Sequence, residues 1–201
     1  MTHRTKSRFA LSVALTASLV LVANPVLGGS GGLRTSLFAY PPSEIQWQKG
    51  VGVPEGRGPG QGLYMANPES PPFGLAGAVI QGAPGAITTL GFDYRGDCHA
   101  RTPRFRVVTG PQPEDIYIFG CATGDATADT PALGWTRVRF GDLDAVPYFH
   151  DRPWPGFAKV TVQDLRVSFG SREESGPEFS GVVYLDNIAV NDMLIGKSGK
   201  N

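Results

Sequence analysis

Thr88-Thr89-Leu90-Gly91-Phe92-Asp93-Tyr94 places Thr88, Leu90, Phe92 and Tyr94 on one side of an extended chain and Thr89, Gly91 and Asp93 on the other. A period of two is the mark of a half-buried strand. The same reading extends outward. Downstream, Phe105 and Val107 alternate with Arg104 and Arg106, and residues 116–121 form a nearly continuous apolar run suited to a central strand. Thr136, Val138 and Phe140 then alternate with Trp135, Arg137 and Arg139. Upstream, residues 78–81 read as a strand, with shorter runs at 44–48 and 63–66. Short strands bounded by turn residues predict an all-β sandwich or barrel. The 27 Gly and 17 Pro disfavour helix, because both destabilise helix interiors. One helix-permissive stretch, 189–195, is too short to stand alone.

Parity breaks in two places. Val160 and Val162 share a face, but Leu165, Val167 and Phe169 are shifted by one; Val183 and Leu185 are likewise followed by Ile188 and Val190. An odd step in such a pattern means an inserted residue or a break between strands. The economical expectation is a β-bulge at Gln163-Asp164 and another at Asp186-Asn187.

Residues 1–29 read as a cleavable signal peptide. Arg4, Lys6 and Arg8 form a cationic start, an apolar stretch follows from Phe9 to Val22, and Ala23, Gly28 and Gly29 supply small residues for cleavage. The stretch falls short of the roughly 20 apolar residues a spanning helix needs, so a secreted protein with no membrane attachment after cleavage is expected. Residues 30–72 form a Gly/Pro-rich lead-in carrying the first short strands, 73–195 the β-sandwich core, and 196–201 a disordered tail. The 18 Lys+Arg are balanced by 18 Asp+Glu, which removes the electrostatic case for nucleic acid. Cys98 and Cys121 are the only cysteines. In an oxidising compartment they are expected to form a disulfide, whose loop closure is worth roughly 3 kcal/mol in the chain-entropy model. A metal pair or a reactive thiol is the alternative, with His99 as the one nearby extra ligand.

The densest cluster of recognition chemistry is Val146-Pro147-Tyr148-Phe149-His150-Asp151-Arg152-Pro153-Trp154-Pro155-Gly156-Phe157. Aromatic faces stack on the C–H faces of sugars, charged neighbours bond hydroxyls, and prolines lower the ordering cost of such a loop. Tyr148, Phe149, His150, Asp151, Arg152 and Trp154 are therefore the candidate ligand-binding residues, Trp154 foremost. The competing reading is that these rings cap one end of the sandwich and are largely buried. Arg95, Arg101, Arg104 and Arg106 form a second cluster, suited to an anionic polysaccharide or a sulfate-bearing ligand, or else to a solvated strand face with local partners such as Asp93 and Asp97. Catalysis finds less support. His150 and Asp151 could supply part of a triad, but no Gly-x-Ser-x-Gly elbow lies within 73–195. No catalytic residue is assigned.

Gly181-Val182-Val183-Tyr184-Leu185-Asp186-Asn187-Ile188-Ala189-Val190 resembles the closing strand of galactose-binding-like and carbohydrate-binding-module jelly rolls. Gly96-Asp97-Cys98, with Pro103-Arg104-Phe105 and Phe119-Gly120-Cys121, is similar to a pattern in uncharacterised secreted bacterial proteins. The resemblance implies a jelly-roll β-sandwich and does not name a ligand; a polysaccharide or cell-surface glycan as partner is what the aromatic segment points to. The resemblance implies no organic cofactor, but a structural calcium ion with Asp186 as a ligand, the alternative being a bulge residue bonded to a neighbouring amide. An immunoglobulin-like sandwich is the competing architecture, and Cys98 and Cys121 lack the Trp that would support it. Three function classes follow in order: a carbohydrate- or cell-surface-binding module, a structural or protein-interaction sandwich without a small ligand, and an extracellular hydrolase acting on polysaccharide.

Overall fold

The computed structural model describes residues 26–27, 32–54, 59–68, 74–127, 132–141, 146–147, 153–172 and 176–195. They form strands β1 (Val26–Leu27), β2 (Arg34–Tyr40), β3 (Glu44–Pro54), β4 (Pro59–Asn67), β5 (Leu75–Gln81), β6 (Leu90–Gly96) and β7 (Arg104–Val108). After these come β8 (Ile116–Gly120), β9 (Asp125–Ala126), β10 (Thr136–Phe140), β11 (Val146–Pro147), β12 (Asp164–Gly170), β13 (Gly181–Val190) and β14 (Met193–Ile195). The helical pieces among the described residues are single 3-10 turns. Every strand pair is antiparallel.

The first sheet runs β1-β2-β5-β12-β7-β8-β11 and the second β3-β4-β13-β6-β10-β9, with β14 paired to β13. The alternation read from the sequence decides which side chains meet between them. Phe105 and Phe119 from the first sheet, with Phe92 and Phe140 from the second, are at most 1% exposed. Phe92 lies 5.5 Å from Phe105 between ring centroids, and Phe119 lies 5.8 Å from Phe140. Tilted and edge-on pairs of this kind are each worth about 0.5–1.5 kcal/mol beyond area burial. The molecule is all-β, two antiparallel sheets sharing one aromatic-rich core.

The expected bulge at Asp186-Asn187 is present. β13 follows β6 residue by residue to Asp186↔Asp93, and the pairing resumes shifted at Ala189↔Gly91. Asn187 takes a φ of 45° there, a left-handed conformation that Asn tolerates better than most residues. The expected bulge at Gln163-Asp164 is instead a strand boundary. Val162 donates its amide to Gly85 O at 3.2 Å, so the two apolar runs belong to a connector and to β12, which begins at Asp164. β6 likewise starts at Leu90 because the Thr88 and Thr89 amides are taken by the Asn191 side chain, at 2.7 and 3.2 Å. The helix-permissive stretch is the end of β13, a two-residue turn at Asn191-Asp192, and β14.

Cys98 and Cys121 are joined by a disulfide closing 23 residues. Replacing both by Ser is expected to lower unfolding free energy by roughly 3 kcal/mol, read from urea denaturation. An unchanged midpoint would show that the bond constrains nothing the sheets do not already fix.

Candidate functional site

Of the aromatic segment proposed from sequence, Tyr148, Phe149, His150, Asp151 and Arg152 lie outside the described residues. Trp154 is described, and it packs inward. Its ring centroid stands 4.5 Å from Tyr117, 5.5 Å from Phe119 and 5.2 Å from Phe157. Phe157, 2% exposed, in turn stacks on Phe119 at 5.3 Å and 9°. Tyr117 and Phe119 point into the core from β8, so Trp154 closes one end of the sandwich from inside.

Asp186 sits on the outer side of the second sheet, yet it is 3% exposed. The reason is β3, whose register against β4 shifts between Lys49 and Pro54, laying that stretch over β13. The Val53 amide donates to Asp186 Oδ2 at 2.8 Å, and the Asn187 amide donates to Oδ1 at 2.7 Å. A Cβ on Gly52 would stand 2.6 Å from Oδ2, so glycine is what allows the backbone this close. Calcium takes six to eight oxygen ligands. Here each carboxylate oxygen accepts an amide hydrogen, the arrangement the bulge reading expects. Among the described residues no group of three or more His, Cys, Asp and Glu is placed to hold a metal ion. Beside Asp186 lies Asp93, fully buried, which accepts from Arg137 Nε at 2.8 Å, Arg137 Nη2 at 3.1 Å and Asn187 Nδ2 at 2.8 Å. Burial pulls the Arg139 guanidinium below its ordinary pKa, with Asp93 opposing that shift.

The four arginines grouped by sequence divide between places. Arg95 lies against the second sheet, over the rings of Tyr184 at 4.7 Å and Trp135 at 5.2 Å. Arg101 covers Phe179 at 5.3 Å. Arg104 and Arg106 point outward from β7 on the first sheet, where Arg166 of β12 and Arg172 join them around a groove of about 420 Å³.

Strand register builds this groove. One row across the first sheet reads Phe38, Gly77, Ser168, Arg104 and Gly120. Within it the small Gly77 and Ser168 lie between the bulky Phe38 and Arg104. A Cβ on Gly77 would come within 2.6 Å of Phe38 Cζ, so the missing side chain lets that ring lie across β5. The next row reads Ser36, Val79, Arg166, Arg106 and Ile118. Arg172 stacks over Tyr40 at 4.2 Å and Arg166 lies 6.0 Å from the Phe38 centroid. Asp164 takes Arg166 Nε at 2.6 Å and faces Arg106 Nη1 at 3.7 Å. The groove therefore offers ring faces, the hydroxyls of Ser168 and Ser171, and guanidinium forks. Its volume falls within the range of small-ligand sites.

A shallower hollow of about 470 Å³ on the second sheet is lined by Glu44, Tyr64, Asn67 and Val182 among others, with no cation in its described lining. Burial first, then Glu44 and Tyr184, raise the Tyr64 pKa. Sequence reading missed Phe38, Tyr40, Arg166 and Arg172. The outward alternation of Arg166 between Leu165 and Val167 was the available signal, but it gains meaning only once β12 is known to pair with β7.

No protein-family model, curated protein or solved structure matches the chain. No helix among the described residues is long and apolar enough to cross a membrane.

Proposed function

We propose that this protein is a secreted module that binds carbohydrate or a cell-surface glycan, built as a jelly-roll-type sandwich behind a cleavable signal peptide. The observation carrying the reading is the groove on the outer face of the first sheet. Ring faces, serine hydroxyls and guanidinium donors converge there, most of them on strands with Ser171 and Arg172 just past the end of β12, and groups fixed on rigid elements lose little freedom on binding. Secretion is supported by the cationic start and apolar stretch of residues 1–29 and by the disulfide, since such bonds persist in oxidising compartments. The jelly-roll assignment rests on the closing-strand resemblance together with two antiparallel sheets around one core.

A glycan array tests the reading. The wild-type chain is expected to bind a restricted set of glycans, and Tyr40→Ala to lose about tenfold or more in affinity for them. Binding to no glycan by a folded chain would end this reading. A structural or protein-interaction sandwich is the second reading, favoured by the inward packing of Trp154, which leaves that ring serving the fold.

A further inference from the structure

We infer that the groove takes an acidic ligand: an oxyanion, carboxylate or sulfate, carried on a polysaccharide and held among Arg104, Arg106, Arg166 and Arg172. The inference rests on the glycan reading above and names its chemical class.

Charge distribution is the first argument. The whole chain is balanced, 18 Lys+Arg against 18 Asp+Glu, yet the described lining of this one groove holds four arginines and no carboxylate. Asp164 lies beside it and engages Arg166 and Arg106. A cleft walled by one sign of charge concentrates ligands of the other.

Presentation is the second argument. Arg172 is exposed and rests on Tyr40 at 4.2 Å, and among the described residues it pairs with no carboxylate. Arg166 is held from one side by Asp164 and leans toward Phe38. A guanidinium laid on a ring keeps its N–H edges free of that face, and its planar fork matches the two oxygens of a carboxylate or sulfate. The rings thus act first as supports for the cations. Arg104, 6% exposed, is fixed at the groove floor, where its Nη1 donates to Arg101 O at 3.3 Å. A neutral glycan would meet this arginine-lined wall with uncharged hydroxyls alone, whereas an acidic one forms charge-assisted hydrogen bonds with it.

The test measures retention of the full chain in affinity gels containing polygalacturonate, its carboxyl-reduced neutral form, dextran sulfate, or plain dextran. Retention by one or both acidic polymers and neither neutral one is expected, with the pair separating carboxylate from sulfate recognition. Arg166→Gln with Arg172→Gln should weaken it roughly tenfold or more, and retention should fall as salt rises. Circular dichroism and the melting curve of the double variant show whether its fold is intact. Equal retention by the neutral polymers, unchanged in the variant, would overturn the acidic class while leaving the glycan reading standing. Equal affinity for a single-stranded thymidine oligonucleotide would overturn it in favour of a general polyanion site. Should no polysaccharide be retained, titration with free galacturonate and inorganic sulfate, followed through the arginine Nε–H resonances, separates the remaining cases. Shifts at Arg166 and Arg172 would keep an anion site and remove the glycan, and no shift would remove both.

Discussion

Asp93→Ala is expected to destabilise the fold by about 3–5 kcal/mol, the range for breaking a buried ion pair by removing one partner. For a domain of this size that corresponds to a fall of roughly 6–20 °C in melting temperature. Asp93 is fully buried, and its two oxygens receive both nitrogens of the Arg137 fork and the Asn187 amide. Truncation deprives three hydrogen bonds of their acceptor, next to a bulge whose left-handed Asn187 is braced by one of them. Asp93→Asn keeps the shape and should cost less. A melting temperature for the alanine variant within about 2 °C of wild type would show that the network contributes no net stability.

Trp154→Ala should cost about 3–5 kcal/mol, the usual toll of removing a packed aromatic. The ring is wedged among Tyr117, Phe119 and Phe157, and its loss opens the end of the core. Trp154→Phe should recover most of that stability. Because Tyr117 and Phe119 face inward from β8 while the groove lies on the opposite face, the phenylalanine variant should bind any groove ligand as wild type does. A stable Trp154→Ala protein with lost glycan retention would instead move the binding site to the aromatic segment.

Fold class was readable because side-chain parity is a local property. Phe92, Phe105, Val138 and Phe140 all point where alternation places them, and the odd step after Leu185 is a true bulge. The step before Leu165 misled because parity cannot distinguish an inserted residue from the end of a strand. β2 was hidden by the Gly- and Pro-rich segments around it, although Thr35 and Leu37 alternate with Ser36, Phe38 and Tyr40 within it. The groove was less legible still. Arg104 and Ser168 are neighbours through cross-strand register, and Phe38 reaches them only across Gly77. Sequence proximity grouped Arg95 with Arg104, but these residues ended on different sheets.

Strand order also sets a timetable. β13 separates β4 from β6, and β12 separates β5 from β7, so the innermost ladder of each sheet is delivered by the last part of the chain. The amide of Val53 waits for a carboxylate 133 residues further on. As the polypeptide emerges from its N-terminus, β4 and β6 have no shared neighbour, and the bulge that orders β3 does not yet exist. Pairings this distant in sequence are slow to close, and unpaired strand edges are exposed until they do. The ladders β2–β5, β3–β4, β7–β8 and β6–β10 can pair before β12 and β13 arrive, but they are joined into two sheets only when those two strands insert between them.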